Sequence, residues 1–276
     1  MSGRLFVLLA SAILGFAFAS LSLRDRPRFS EGVRGLSVHL PVPVQLANAF
    51  ADPYLASNLN VFRSLMVDPR ITEDETYRIQ AVLQVDAAFF NPRHEDNYYV
   101  GAAILPWNGQ VQAAQQVLRQ AADARPWDMW PAFFYAFNAM YFERDMGRAG
   151  HWAEVAAQRH PKNAAALRDI AAKWYERGDD PRVAIGILKA MYEQSRDQSF
   201  RQMLAARLQR LDGLLALRQA AEAYRLETGR RPDRMEVLLG YAGLQQLPKD
   251  PLALGYLLDA AGNPQLSDHV QQRKSQ

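Results

Sequence analysis

The chain has 276 residues, 49% of them apolar, so it is long and hydrophobic enough for one large folded domain or two small ones and is not a disordered chain. Its 32 basic and 29 acidic residues are interleaved, which indicates a mixed solvated surface and excludes a basic stripe for nucleic acid. The lack of cysteine excludes a disulfide framework, thiolate metal ligands and a cysteine nucleophile.

An uncharged, largely apolar run extends from Leu5 to Leu23. A helix over this run reaches about 28 Å, close to the thickness of the hydrocarbon core of a bilayer. We therefore predict that residues 1–23 are a transmembrane anchor that contacts the lipid bilayer through residues 5–23. A cleaved signal peptide is the alternative, because Ala17-Phe18-Ala19 resembles a cleavage site, although the apolar core of such a peptide is shorter.

The orientation of this anchor is ambiguous from charge alone. Arg4 precedes the run and four arginines follow it before residue 35, so the positive-inside rule would leave the body in the cytoplasm. The signal-like shape of the N-terminus instead favours export. We expect a single-pass protein of the bacterial inner membrane with a periplasmic body, and a cytoplasmic body is the open alternative.

The segment after the anchor predicts a linker and then helices. Residues 24–51 contain three prolines and little helical periodicity, which is typical of a linker. Asp52-Pro53 then places a capping residue before a proline at the first helical position. No strand-like alternation of useful length follows, so we predict an all-α fold.

Three stretches each hold two predicted helices with a small residue near the middle of each helix, at 93–126, 130–161 and 165–198. A preceding pair, at about 53–92, fits more loosely. In the second stretch the shared faces consist of Phe133, Phe137 and Met140 on the first helix and Ala149, Ala153 and Ala156 on the second. Small residues let helix backbones approach, and each pair buries its apolar face against its neighbours.

These residues resemble the tetratricopeptide repeat, a two-helix unit of about 34 residues. Tyr175, Ala184 and the Gly178-Asp179 turn agree with its pattern, whereas Arg168 stands at an aromatic position and Arg196 near an expected proline. The resemblance implies a helical-hairpin solenoid over residues 52–198. It also implies that the first helix of each pair lines a groove that binds extended or helical peptides.

A long helix is predicted from Ser199 to Thr228, closed by Gly229. Leucines spaced by four, three and four residues give it an apolar edge, formed by Leu204, Leu208, Leu211 and Leu215. This leucine edge packs either on the last repeat, which makes it a capping helix, or on a coiled-coil partner. We predict a capping helix with a C-terminal extension over residues 199–264.

The extension has the order Gly-x-x-Pro, a short leucine-rich helix, Gly243-Leu244, Pro248-x-Asp250-Pro251 and Tyr256. This order is similar to the C-terminal segments of type II secretion and type IV pilin-like proteins. The resemblance covers residues 229–263 alone and implies a short helix and a strand-like turn, without an activity. The polar residues 265–276 predict a flexible tail.

His94, Glu95 and Asp96 are three potential metal ligands in a row. Adjacent helical residues point about 100° apart, so these side chains do not converge on one metal ion, and we interpret them as a helix start. The sequence also lacks a phosphate-binding glycine loop and a nucleophile elbow. We therefore predict a protein that is not an enzyme, with no catalytic, metal-binding or cofactor-binding residues.

Aromatic residues are dense between Trp130 and Phe142. One helical face holds Trp130, Phe133, Phe134, Phe137 and Tyr141, and we expect it to face the core. Tyr135, Asn138 and Phe142 share another face, which is buried between layers or lines the groove. If it lines the groove, the predicted partner-binding residues are Tyr99, Tyr135, Asn138, Phe142 and Arg144.

We expect a membrane-anchored scaffold or assembly factor that binds a protein partner at the membrane. A structural subunit of a larger inner-membrane complex, which contacts other chains through the anchor and the leucine edge, is the first alternative. An unrecognised envelope enzyme is the second.

Overall fold

A computed structural model describes residues 40–66 and 73–267, and this part of the chain is mostly helical, which confirms the all-α class. Its helices are α1 (Val42–Asn48), α2 (Pro53–Leu65), α3 (Glu73–Phe90), α4 (Glu95–Ile104), α5 (Val111–Ala124), α6 (Met129–Tyr141), α7 (Met146–Arg159), α8 (Ala164–Glu176), α9 (Pro181–Gln194) and α10 (Gln198–Thr228). Short 3₁₀ turns lie at Pro106–Asn108, Met235–Leu238 and Tyr241–Gly243. Two antiparallel strands, β1 (Tyr256–Leu258) and β2 (Pro264–Leu266), pair near the C-terminus.

Several predictions concern residues outside the described ranges. The predicted anchor, residues 1–23, lies outside them, as do residues 24–39 of the linker and residues 268–276 of the tail. Within residues 40–66 and 73–267, no helix combines the length and the apolar character needed to cross a membrane.

Local sequence explains where the helices begin and end. An aspartate caps the first turn of five helices by accepting hydrogen bonds from backbone N–H groups; these residues are Asp52, Asp128, Asp145, Asp180 and Asp197. Gly229 ends α10 with a φ of +67°, a left-handed conformation that glycine adopts without steric cost.

Helices α4–α9 form three successive pairs around one alanine-rich core. Alanines from neighbouring helices meet there with almost no exposed surface, including Ala121, Ala136, Ala153 and Ala172. Because these side chains are small, the helix backbones can approach closely. Larger buried side chains, including Leu118 and Leu188, fill the rest of this core.

Helix α10 packs on these pairs. Leu204 and Leu211 are fully buried in the same core, and Leu208 packs against it, so the leucine edge contacts the chain's own helices. A buried ion-pair cluster then attaches the C-terminal extension: Arg210 donates from Nη1 to Glu176 at 3.1 Å and from Nε to Asp250 at 2.9 Å.

Candidate protein-binding site

Helix α6 has one face of small residues and one face of aromatic residues. The buried face includes Ala132, Ala136 and Ala139. The other face is half-buried or exposed, and its residues are Trp130, Phe133, Phe134, Phe137 and Tyr141. The expectation that this aromatic set would face the core holds in part. Phe133, Phe134 and Phe137 are partly buried and pack against the core, whereas Trp130 and Tyr141 are exposed. The alanines take the interior position because only small side chains fit where helices cross closely.

Ring contacts join this face to other parts of the helix pairs. Tyr99 on α4 contacts Phe134 with centroids 5.8 Å apart, and Phe133 stacks on Trp174 of α8 at 6.3 Å. At the other end of α6, Trp107 contacts Tyr141 at 5.2 Å. Rings therefore connect the first helices of all three pairs. We define the aromatic face as Tyr99, Trp107, Trp130, Phe133, Phe134, Phe137, Tyr141 and Phe142.

Three of the five residues predicted to bind a partner lie on or beside the aromatic face. Tyr99 is partly exposed, and Phe142 contacts Trp107 edge-on at 4.9 Å. Arg144 is exposed, with its guanidinium 6.0 Å from the ring centroid of Tyr141. Its φ of +59° is uncommon for a residue other than glycine, and it lies three residues after the last residue of α6.

The other two predicted residues lie beneath this face. Tyr135 is buried, and its ring packs on Trp152 with centroids 4.9 Å apart. Asn138 is 2% exposed, and its Nδ2 has no hydrogen-bond partner among the described residues. This side of α6 is therefore buried between layers of helices. A partner on the surface would contact Tyr99, Phe142 and Arg144, whereas Tyr135 and Asn138 lie below them.

A polar junction fixes α4 against α6 beside the aromatic face. The Tyr98 hydroxyl donates to Asp128 Oδ2 at 2.7 Å, and Arg125 Nε donates to the same oxygen at 3.0 Å. Burial and the neighbouring Asp128 carboxylate raise the pKa of Tyr98 well above its ordinary value. Burial alone would raise the pKa of Asp128, but its hydrogen bonds from Tyr98, Trp130 and Arg125 lower it overall. The ring of Tyr98 in turn packs against the ring of Tyr99 at a tilt of 31°, with centroids 4.6 Å apart.

His94 and its acidic neighbours begin α4. The His94 Nδ1 accepts a hydrogen bond from the backbone N–H of Asn97 at 3.4 Å, and Glu95 pairs with Arg125 at 3.0 Å. Within the residues that the structure describes, no group of three histidine or carboxylate side chains is placed to hold a metal ion.

A cleft of about 740 Å³ lies between α10 and the C-terminal extension, with Leu217, Met235, Asp250 and Tyr256 among its lining residues. Its most buried carboxylate already has partners: Asp250 Oδ2 accepts from Arg210 and from the backbone N–H groups of Leu254 and Gly255. These bonds hold the extension together, so the geometry of Asp250 is that of a structural residue.

Sequence reasoning did not select Trp107, which is more than half exposed on the 3₁₀ turn after α4. The available signal was its position in Pro106-Trp107-Asn108-Gly109, a turn sequence in which a large aromatic residue has no helical face to pack on. No family model, curated protein or solved structure matches this chain.

Proposed function

We propose that the protein is a scaffold held at the bacterial inner membrane, and that the aromatic face binds a helical segment of a protein partner. The observation that carries this proposal is the aromatic face itself. Four of its rings, those of Tyr99, Trp107, Trp130 and Tyr141, are at least one-third exposed, beside a core that consists largely of alanine.

Exposed aromatic rings in one contiguous patch favour a protein partner. Tyrosine and tryptophan are enriched at the centres of protein interfaces because each ring contributes a large apolar area at a small loss of side-chain entropy. Ordinary surface requirements do not account for such a patch, since isolated apolar side chains, but not contiguous groups, are common on soluble surfaces.

The dimensions of the face suit an amphipathic helix. Trp130 and Tyr141 stand at the two ends of α6, and at about 1.5 Å per residue they are separated by about 16 Å along its axis. That length corresponds to about three turns of a second helix. A partner helix with apolar residues at spacings of three and four would place one side chain against each part of the face.

The tetratricopeptide resemblance supports the same surface, because it implies that the first helices of successive pairs line the partner groove. Tyr99, Phe142 and Arg144 are then rim contacts. Tyr135 and Asn138 lie below and set the position of α6. The predicted anchor over residues 5–23 would hold this surface near partners in or on the membrane.

The proposal is tested by substituting the two most exposed rings of the face, which contact each other at the C-terminal end of α6. We expect Trp107→Ala combined with Tyr141→Ala to abolish co-purification of the partner from solubilised membranes, with an unchanged unfolding temperature. Val183→Ala, at an exposed position on α9, is the matched control and should leave co-purification unchanged. Equal partner recovery with the double variant and the control would overturn the assignment of this face.

The structural-subunit alternative requires the leucine edge to contact other chains, and the burial of that edge argues against this contact. Leu204 and Leu211 are buried in the chain's own core, so they do not present an edge to another chain.

A further inference from the structure

Helix α2 has the reverse of the usual distribution of polar and apolar residues. Its buried residues are Ala56, Ser57, Asn60, Val61 and Ser64. Its exposed large apolar residues, together with its C-terminal neighbour, are Tyr54, Leu59, Phe62, Leu65 and Met66. Asn60 is 2% exposed and Phe62 is 61% exposed. A helix that packed only against a soluble core would bury the second set and expose the first.

Specific hydrogen bonds hold α2 in this orientation. The Ser57 hydroxyl donates to the Ala87 carbonyl of α3 at 2.9 Å, and Asn60 Nδ2 donates to Gln45 Oε1 of α1 at 2.6 Å. Gln45 Nε2 in turn donates to Asp86 at 2.6 Å. Small residues and hydrogen-bonded amides are the contacts that join helices in lipid, where apolar side chains provide no force between helices.

The turn that precedes α2 adds a further exposed ring. Phe50 and Ala51 both have left-handed backbones, with φ values of 53° and 63°, although neither is glycine. This conformation is disfavoured for residues with a Cβ. It leaves the Phe50 side chain 90% exposed, so the unusual backbone holds a large apolar side chain outward.

We propose that this outer surface of α2 inserts into the interfacial region of a lipid bilayer. The lipid-facing surface of α2 is defined as Phe50, Tyr54, Leu59, Phe62, Leu65 and Met66. The inference rests on the proposed membrane location of the protein and assigns to α2 a second, in-plane contact with the same membrane. Helices of this kind lie with their apolar face about 5–10 Å into the boundary between headgroups and acyl chains.

The position of α2 along the chain favours lipid as the occupant. Residues 24–39 join the predicted anchor to Leu40, and even fully extended they span at most about 55 Å. They contain four arginines and two acidic residues, a balance that favours anionic headgroups. The linker therefore keeps α1 and α2 within reach of the membrane in which the anchor would lie.

The shape of the surface also fits lipid better than a protein partner. It is the outer face of one helix, where the side chains of Tyr54, Phe62 and Leu65 are more than half exposed. A protein partner would need a complementary groove for them, whereas acyl chains adapt to any apolar contour.

Fluorescence quenching in vesicles tests this inference with the full chain. Because the sequence has no cysteine, single-cysteine variants can each carry one environment-sensitive fluorophore. The test positions are Phe62→Cys and Leu65→Cys. Val183→Cys on α9 is the control, since Val183 is 59% exposed. Leu14→Cys reports on the predicted anchor. The protein is reconstituted into vesicles of phosphatidylcholine and phosphatidylglycerol, with or without lipids that are spin-labelled near the headgroup or along the acyl chain. Headgroup labels report on positions 62 and 65, acyl-chain labels report on position 14, and circular dichroism checks that each variant is folded.

We expect the probes at positions 62 and 65 to shift to shorter emission wavelength and to lose fluorescence when spin-labelled lipid is present, while the probe at 183 does neither. Quenching at 14 with none at 62 and 65 would overturn the insertion of α2 and leave the anchor in place. Quenching at 62 and 65 with none at 14 would support the insertion of α2 and overturn the anchor. Disulfide dimers of the unlabelled Phe62→Cys protein, with no quenching of the labelled protein, would identify a second copy of the chain as the occupant and overturn the lipid assignment.

Discussion

The ring of Tyr175 on α8 fills the space that a side chain on Gly150 of α7 would need. A Cβ placed on Gly150 would lie 2.6 Å from Tyr175 Cε1, well inside van der Waals contact. Both residues are buried, so the ring has little room to move away. The contact between the second and third helix pairs therefore depends on the absence of a side chain at position 150.

Gly150→Ala should lower the free energy of unfolding by about 1–3 kcal/mol, because the added methyl group overpacks this contact. Gly186→Ala is the matched control. Gly186 is also in a helix, but apart from its chain neighbours and the nearby backbone of its own helix, no atom lies within 4 Å of the position of its Cβ. Its replacement should raise stability by about 0.5–1 kcal/mol through helix propensity. Urea denaturation of both variants in the same detergent measures the difference, and equal effects of the two substitutions would contradict the contact.

Glu154→Gln should stabilise the protein at neutral pH. Burial raises the pKa of Glu154 above its ordinary value of 4.5, while His151, Tyr175 and Arg168 oppose that shift. The folded state therefore binds the proton more tightly than the unfolded state, and stability falls as the pH rises from 4.5 through the raised pKa. Glutamine removes that loss at neutral pH and gives no advantage well below 4.5. Thermal unfolding of the parent and of Glu154→Gln, from below pH 4.5 to neutral pH, measures this difference in stability. If the variant is more stable by the same amount at every pH, the charge of the carboxylate is not the cause.

Arg210→Ala should cost about 3–5 kcal/mol, because it leaves the buried carboxylate of Asp250 without a cation and leaves Glu176 with Arg207 alone. Arg210→Lys keeps the charge but not the planar fork, so its cost should be smaller. Arg182→Ala, at an exposed position on α9, is the control and should change stability by less than about 0.5 kcal/mol. Denaturant midpoints at a constant m-value measure all three. A cost for Arg210→Ala no larger than the control would mean that the cluster does not hold the extension to α8.

Substitutions at Asn138 test whether its amide contacts the partner or only packs beneath the aromatic face. From the sequence alone, Asn138→Ala is predicted to weaken partner capture without unfolding the protein. Because Asn138 is buried with an unpartnered Nδ2, Asn138→Leu should keep the packing and remove an unmet donor that costs about 1–3 kcal/mol. We expect the leucine variant to be at least as stable as the parent and to capture the partner normally. Lost capture at full stability would instead show that the amide itself contacts the partner.

Helix positions were readable from the sequence because their signals are local. The capping residue Asp52 before Pro53 and the stop at Gly229 mark boundaries through backbone hydrogen bonding, which depends on a few neighbouring residues. The same holds for His94, whose role at the start of α4 follows from the direction in which adjacent side chains point.

Local signals do not predict which face of a helix packs against the rest of the protein. Periodicity groups Trp130 with Tyr141 and Ala132 with Ala136, but it does not say which group meets a neighbouring helix. In α6 the alanines face the interior because the neighbouring helices approach closely there. In α2 the apolar group faces outward, a choice that depends on surroundings beyond the helix itself.

Site-specific photo-crosslinking in intact bacterial membranes tests the central proposal most directly. A photoreactive phenylalanine analogue replaces Tyr141 or Trp107 in the full chain, and Val183 on α9 is the control position. We predict one dominant protein adduct at positions 107 and 141, mapped by mass spectrometry to a segment with apolar residues at helical spacing, and none at 183. The same adducts at all three positions, or no protein adduct at 107 and 141, would contradict the proposal that the aromatic face binds a partner.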